Sequence, residues 1–595
     1  MIILGIQEAH DASAALMIDG KIVAACQEER FTRVKGDYGF PKESVRFCLD
    51  SQGIRSKDID IVALASYYWN PVLVKIKRNA NFDVPDWVQE QREFWKPTLL
   101  ENKQVKYYDI YKERPGWRYD DFYPMDHLLE GYMDVVEMIE MKKIRLSAVS
   151  KYLEVPGGKI HFIDHESCHK AYGYYGAGLF DEEALVLTAE GIGDYSNGTV
   201  SLMQGWKTKG LANTRDNHIG HIYQYITLIL GMKPAQHEYK VMGLAPYANE
   251  YERQKSYEVF KKILKVDKET LNITWDQKPT DLYFSFLESL EGHRFDGIAA
   301  GLQQFVEELL VEWMKAILDK VGRKDSEGYE RPVCFAGGVA QNMKACMKMA
   351  KIVPIRFYVL PATGDTSISI GACYQANAMS MKRCKPVKLE TACLGPSPGP
   401  VRIPSGISAS CIHTNILPKF VASQLAMGKI IGRCCGPMEF GHRALGNRSI
   451  LMDPRRADLV QKLNRAIKKR DFWMPFAPSI LDICADDYLL APHWRRVTSE
   501  FMTMGFETTL NAQKDLAAAI HPSDKTVRPQ IIQEPDGDYY DILYEFRKLT
   551  GVGGLLNTSA NLHGSPIVCT ADDAIDVFKR SDLDAMLINN TWISR

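Results

Sequence analysis

The sequence predicts an α/β protein in two parts: a duplicated, two-lobed α/β domain over residues 1–390 and a second α/β domain over residues 407–595. Two observations carry this. A strand, a polar loop and a second strand occur near the start and again near residue 190. A proline- and glycine-rich stretch, TACLGPSPGPVRIPSG at 391–406, then separates two α/β runs as a linker. The length agrees: 595 residues exceed one core and correspond to roughly three to four units of about 150 residues.

The elements follow in order. Residues 2–6 are an apolar run, QEAHD is a polar turn, and SAALMI and KIVAACQEE flank Asp19-Gly20, a two-residue hairpin signal. Residues 67–160 differ, being rich in rings (Tyr67, Tyr68, Trp69, Trp87, Trp95, Tyr107, Tyr108, Trp117, Tyr119, Tyr123) and poor in strand signals. Within them, residues 128–153 have amphipathic helical spacing. This region reads as a helical insertion, either a cap packed by its aromatics or a wall for a bound molecule. Ala184–Ala189 (ALVLTA) is a buried strand, EGIGDYSNG a Gly- and Asp-rich turn, and TVSLMQG a strand again. A helix near 297–317 precedes the strand PVCFA and the turn GGVAQN. The strand FYVLPATGD then ends in a Gly-Asp loop before a helix of small residues.

Composition excludes several classes. Hydrophobic residues at 46% and charged residues at 25% are ordinary for a globular protein, and a net charge of -1 without like-charge blocks argues against a nucleic-acid or membrane surface. The 13 cysteines are scattered and form no C-x-x-C pair, which points to a reducing cytosol. The N-terminus lacks a basic, signal-like region, and no apolar run approaches about 18 residues, so a cytoplasmic protein without membrane spans is expected.

The sharpest local pattern is Asp164-His165-Glu166-Ser167-Cys168-His169. Histidines four apart on a helix share a face and can grip one ion. Glu190 and Asp365 terminate predicted strands, where α/β folds gather ligands. Two imidazoles and two carboxylates suit a divalent Fe(II), Mn(II) or Zn(II) ion. The glycines of two loops, Gly191 and Gly193 and then Gly337 and Gly338, allow backbone N–H groups to approach nucleotide phosphates, with Asn342 closing the second loop.

These segments resemble the NodU/CmcH carbamoyltransferase family, which includes enzymes acting on tobramycin and other natural products. The resemblance runs nearly end to end, through HDASAALMIDGKIVAACQEERFTR, DHESCHKAYGYYGAG, LVLTAEGIGD, HEYKVMGLAPYA, FAGGVAQN and PATGD. It continues through MEFGHRALGNRSILMDPR, KKRDFWMPFAP and LLNTSANLHGSPIV. It implies an actin-like, Kae-like first domain and a YrdC-like second domain that makes carbamoyl adenylate from carbamoyl phosphate and Mg-ATP. The first domain would pass the carbamoyl group to a hydroxyl of a small natural product, a toxin or an antibiotic. It also implies iron at His165, His169 and Asp365, with Glu190 standing where the family has Asp. His10 matches a histidine used in transfer, as a base for the acceptor hydroxyl. Lys240, in HEYKVMGLAP, is a candidate to steady phosphate or carbonyl charge, and equally to pair with a carboxylate.

Carbamoyl phosphate is small and doubly anionic, so its pocket needs fixed cations. Guanidinium forks grip phosphate bidentately, which nominates Arg443, Arg448, Arg470 and Arg528 alongside Lys468 as the catalytic cation. Ser559 and Asn561, in LLNTSAN, resemble a YrdC-type nucleotide contact. Met474 replaces a family arginine before PFAP, leaving one contact to be supplied elsewhere. Among acceptors, Asp120, Asp121, Asp126 and Glu130 favour a cationic, polycyclic or sugar-like alcohol. A homodimer is compatible with the sequence. The competing readings are a threonylcarbamoyl transferase acting on tRNA, another actin-like ATP-dependent enzyme, and, from a different class, a nucleotide-binding regulatory protein.

Overall fold

The computed structural model describes the chain apart from residues 81, 114–121, 130, 132–134, 353–355, 469, 491 and 535–536, and a few side chains beside them. Trp117, Tyr119, Asp120, Asp121, Glu130 and the side chain of Lys468 therefore lie outside the described part. The chain forms two compact units. Met1–Glu28, Gly36–Tyr358 and Thr363–Leu389 make the first; Glu29–Lys35, Val359–Ala362 and Glu390–Arg595 make the second. The sequence reading gave residues 29–35 and 359–362 to the first domain. Their hydrogen bonds explain the difference: Arg30 donates to the Gly441 carbonyl (2.5 Å), and Arg33 to those of Pro566 (2.9 Å) and Ile567 (2.7 Å).

The first unit holds two five-stranded sheets. In one, β1 (Ile2–Gln7), β2 (Ser13–Ile18), β3 (Lys21–Gln27), β4 (Ile61–Ala65) and β5 (Ile160–Ile163) lie in the order β3-β2-β1-β4-β5. The first three are antiparallel, and β4 and β5 run parallel to β1. In the other, β6 (Ala184–Ala189), β7 (Gly198–Gln204), β8 (Lys207–Thr214), β9 (Val333–Ala336) and β10 (Phe357–Tyr358) repeat that order and those directions. The repeat is the duplication read from the sequence. The Asp19-Gly20 turn behaves as its residues dictate: both have positive φ (47° and 84°), which matches the twist of a two-residue hairpin. Strands β6 and β9 are buried at every position, so they read as continuous apolar runs rather than alternating ones.

Helices cover the sheets. Five matter here: α1 (Val135–Leu153), α2 (His165–Gly176), α3 (Ile219–Ile229), α4 (Phe295–Val321) and α5 (Ile368–Met379). A Cβ on Gly371 of α5 would sit 2.1 Å from the Cys168 carbonyl oxygen of α2. Glycine there brings α2, which carries both histidines, against α5, which follows Asp365. Between β4 and β5 the described residues contain no strand, as expected. Most of the region's rings serve packing: Trp69, Phe82, Trp87, Phe94, Tyr107, Tyr111 and Tyr123 join Leu4, Ile6 and Leu16 in one core. Burying such rings is worth several kcal/mol each, about 3–5 by truncation, so this insertion is integral to the first lobe.

The second unit is built on an eight-stranded mixed sheet. Its strands are β11 (Ser408–Cys411), β12 (Ile431–Cys434), β13 (Arg448–Met452), β14 (Ala477–Leu481), β15 (Gln530–Ile532), β16 (Gly554–Ser559), β17 (Ala585–Ile588) and β18 (Thr591–Ser594). They lie in the order β11-β18-β17-β12-β13-β16-β14-β15. All 13 cysteines are free, and no helix of the described residues is long and apolar enough to cross a membrane.

Candidate metal and anion centres

The first centre forms where strands of both sheets end. Strand β5 runs into Asp164, whose carboxylate caps α2 by accepting from the Ser167 amide (2.9 Å). That cap starts the helix at His165 and puts His169 one turn on, on the same face. Glu190 leaves the end of β6, and Asp365 opens the short turn before α5. One ligand atom from each of His165, His169, Glu190 and Asp365 lies within 4.8 Å of the other three. The two Nε2 atoms face each other at 3.2 Å, His169 is 3.1 Å from Glu190, and His165 is 3.5 Å from Asp365.

This donor set fits a divalent cation. Burial opposes charge on the imidazoles, yet Asp365 beside His165, and Asp365 and Glu190 beside His169, lift them to about 10 and about 9. Against its own burial, the histidines hold the Asp365 carboxyl well below the usual carboxylate range. Two imidazolium rings this close repel each other, and one cation among four ligands would replace both protons. The Ser66 hydroxyl meets His165 Nδ1 at 2.9 Å, leaving Nε2 to the cluster.

His10 follows β1 in a turn and lies 3.2 Å from Asp11. Burial works against its charge, but Asp11, Asp365 and Glu238 raise it to about 9. In this state His10 is protonated at neutral pH, so it donates a hydrogen bond before it can act as a base. The influence of Asp365 on His10 puts the two in one neighbourhood. The paired glycine loops border the same cluster. Gly337 has φ 98°, and a Cβ there would lie 2.4 Å from the Ala189 carbonyl. Gly338 N–H donates to Glu190, and Gly191 N–H approaches the same carboxylate at 3.3 Å. Gly193 sits in the turn beyond. Lys240 lies in the first turn of the helix Glu238–Leu244, half-buried.

Asn342 does something other than expected. Its carboxamide exchanges two 3.0 Å hydrogen bonds with Gln303 of α4 and accepts from the Ala345 amide, capping the helix Met343–Ile352. Its side chain is engaged in joining two helices. Two residues that sequence reasoning missed matter more. Asp194, the last residue of EGIGD, accepts from the amides of His165 (2.8 Å), Tyr67 (2.9 Å) and Tyr68 (2.9 Å). Glu166 is fully buried, and burial pushes its carboxyl up although His165 and His169 draw it back. Both belonged to quoted motifs; no spacing rule singled them out.

In the second unit the loop of residues 441–449 is shaped by Glu439. Its buried carboxylate accepts from the amides of Leu445 (2.7 Å), Asn447 (2.7 Å) and Arg448 (3.1 Å). Strand β16 gathers this loop: Asn557 donates to the Ala444 carbonyl (3.2 Å) and to Gln530 (3.3 Å), and Gln530 donates to the Leu445 carbonyl (2.8 Å). Arg470 donates to Thr558 (3.0 Å) and to the Pro475 carbonyl (3.2 Å). Backbone next to Arg443 and Arg528, and the Arg470 side chain itself, are thus drawn to one strand end. Arg443 and Arg528 are half-buried. Arg470 reaches the residue following Met474, so a guanidinium stands beside the position where the family arginine is missing.

Arg448 is the correction. It is wholly buried, and its guanidinium donates to the carbonyls of Pro396, Cys435, Gly436, Asn447 and Cys569 at 2.8–3.3 Å. With every guanidinium nitrogen donating to a backbone carbonyl, Arg448 ties loops together. Ser559 and Asn561 hydrogen-bond to each other (2.6 Å), and Asn561 also donates to the Leu562 and Ser565 carbonyls, shaping their own loop.

The chain thus joins a duplicated α/β unit holding a quartet fit for a cation to a second α/β unit with several arginines. Residues 2–374 match the family description carbamoyltransferase N-terminus, and residues 422–595 match carbamoyltransferase C-terminus. The chain belongs to the carbamoyltransferase family and is a carbamoyltransferase. It is 28% identical to nodulation protein NolNO of Sinorhizobium fredii, over 98% of this chain and 79% of that protein. It is also 28% identical to the uncharacterized protein MJ1058 of Methanocaldococcus jannaschii, over 100% of this chain and 99% of that one. Component A of (R)-2-hydroxyglutaryl-CoA dehydratase from Acidaminococcus fermentans, a solved structure, is 13% identical with a TM-score of 0.31, covering 64% of this chain and 100% of its own. A likeness of that size adds nothing to the family assignment.

Proposed function

We propose that this carbamoyltransferase works in two stages with two centres. In the second unit, which we read as YrdC-like, water takes the phosphoryl group of carbamoyl phosphate as phosphate, and the carbamate left behind attacks the α-phosphorus of Mg-ATP, forming carbamoyl adenylate and displacing pyrophosphate. Arg443, Arg470, Arg528 and Lys468 hold the anions, and the Ser559–Asn561 loop borders the nucleotide. In the first unit the carbamoyl group passes to a hydroxyl of a small natural product. The quartet of His165, His169, Glu190 and Asp365 is the observation that carries this reading, because it fits one divalent cation, which we assign as Fe(II). When bound, that ion supplies positive charge to an oxygen of the activated donor. The glycine loops at Gly191, Gly193, Gly337 and Gly338 present backbone N–H groups to its phosphate, with Lys240 nearby.

His10 is the residue that accepts the acceptor's proton. It needs to be neutral first, and a cation engaging Asp365 weakens one of the three carboxylates that keep it protonated. The reacting alcohol then loses its proton to His10 as its oxygen attacks the carbamoyl carbon, and AMP leaves. A nodulation protein among the relatives is consistent with a natural-product acceptor.

The test separates the stages. Lys468→Ala is expected to lower carbamoyl-phosphate-dependent pyrophosphate release by more than about 100-fold, the scale of losing a charge-assisted phosphate contact, while supplied carbamoyl adenylate is still consumed. His165→Ala with His169→Ala should do the reverse, losing bound metal and transfer but keeping pyrophosphate release. Pyrophosphate release that ignores carbamoyl phosphate, or one variant that loses both stages, would sink the division.

A further inference from the structure

Helix α1 lies in the aromatic region, yet one of its residues holds the turn whose Ser66 meets a histidine of the quartet. We propose that Arg145, acting with Glu8, is a positioning residue for that metal centre, through the turn that carries Ser66. The inference rests on the reading that the quartet binds a divalent metal.

Arg145 and Glu8 are both wholly buried. The guanidinium meets one Glu8 oxygen through Nε (2.9 Å) and Nη2 (2.5 Å), and the hydroxyl of Tyr123 donates to the other oxygen. A buried ion pair is weak evidence of stabilisation by itself; its best-attested use is to fix one arrangement over others. Here the arrangement is visible. The remaining N–H groups of Arg145 donate to three successive carbonyls at the end of β4: Ala65 (3.4 Å), Ser66 (3.1 Å) and Tyr67 (3.1 Å). The middle residue, Ser66, has φ 69°, a region that non-glycine residues rarely adopt. Its amide is held by the Ile163 carbonyl (2.8 Å), and its hydroxyl meets His165 Nδ1 at 2.9 Å.

The chain of cause is short. Glu8 fixes Arg145, and Arg145 spans the three carbonyls and holds Ser66 in its unusual conformation. Ser66 then holds the His165 ring, and the tautomer that leaves Nε2 for a metal is set by the bond at Nδ1. Asp194 braces the same turn from the other side through the Tyr67, Tyr68 and His165 amides. One turn before Arg145 on α1, Lys142 lies 4.3 Å from the Tyr67 ring centre and 5.3 Å from that of Tyr68. The helix that packs the aromatic region therefore also sets the metal ligand.

Arg145→Lys keeps the charge opposite Glu8 but cannot span three carbonyls. Ser66→Gly tolerates φ 69° better than serine and removes the hydroxyl together with its Cβ. With Co(II) as the probe, read by its visible absorption, each variant should bind about 10–100-fold more weakly than wild type, the usual cost of losing an outer-sphere partner. The double variant should lose little more than the worse single one, because both act through one bond. Metal-free melting of Ser66→Gly should stay within a few degrees of wild type, and this variant decides the matter if Arg145→Lys does not fold. Wild-type Co(II) affinity in Ser66→Gly, or fully additive losses, would overturn the inference alone. A wild-type protein that takes up no Co(II) would overturn the metal reading and the inference with it.

Discussion

The quartet of the first unit and the arginine loops of the second both sit where strands end, yet they manage charge in opposite ways. The quartet brings two imidazoles and two carboxylates within reach of one ion, so protons on the rings and a shared cation are alternative ways to balance its charge. The second unit gathers guanidinium groups and ties some of them to backbone carbonyls. Arg448 is the extreme case; Arg433 is held differently, donating to the Gly446 carbonyl (2.6 Å), the Asn447 side chain (3.0 Å) and the Asp538 carboxylate (2.6 Å). A centre whose charges oppose one another advertises a missing ligand. A cluster of arginines does not, because an arginine makes as good a structural staple as a phosphate clamp.

The sharpest way to break that comparison is to exchange the two kinds of arginine. Arg448→Met should leave five carbonyls without their donor in a buried loop junction, a loss of about 3–5 kcal/mol by the measure of broken buried networks. Arg443→Met should leave the melting temperature nearly unchanged and weaken carbamoyl phosphate binding about 10–100-fold, the value of about 1.5–3 kcal/mol of charge-assisted hydrogen bonding. Calorimetric melting together with carbamoyl phosphate titration reads both. A stable Arg448→Met protein with weakened phosphate binding would restore Arg448 to the anion site.

That pair of arginines also shows what the sequence could and could not deliver. GHRALGNRS marks both as motif residues, and nothing in the spacing tells one from the other. The difference arises because Arg448 begins β13 and is enclosed by loops from 396, 435 and 569, which only the tertiary fold brings together. The engagement of Asn342 was illegible for the same reason: its partner Gln303 is 39 residues away on another helix. The quartet was legible because its parts obey local rules, two histidines at helical spacing and two acids at strand ends. The duplicated sheets were legible through the Asp19-Gly20 turn and the uninterrupted apolar run of β6. Ser66 and Arg145 were not, since a serine with positive φ and a buried arginine on an amphipathic helix leave no local signature.

The quartet makes a smaller, pH-dependent prediction. His165 and His169 have folded values of about 10 and about 9 in the metal-free state, above the ordinary 6.5. Groups raised in this way stabilise the fold fully below about pH 6.5, and their contribution fades as pH climbs through 9 to 10. Metal-free protein should therefore melt progressively lower between pH 7 and 10, and protein loaded with Fe(II) under anaerobic conditions should not follow it. Loading at pH 7 should also release protons into a weakly buffered solution. No proton release would mean that the imidazoles were already neutral and that the carboxylates do not govern them.

Glu190 gives the finest discrimination between a ligand and a staple. The family resemblance leads one to expect Asp at this position, and the longer side chain here touches both His169 Nε2 and the amides of Gly338 and Gly191. Glu190→Asp withdraws the carboxylate by one methylene and cannot keep all of those contacts at once. If Glu190 is a metal ligand, Co(II) affinity should fall by about tenfold or less, in the range of a displaced but surviving ligand, and the visible spectrum of the bound ion should shift. If it serves only to pin the Gly337-Gly338 turn, the spectrum should stay as it is while nucleotide binding weakens. The two readouts move independently, so this single methylene decides whether the quartet has four ligands or three ligands and a brace.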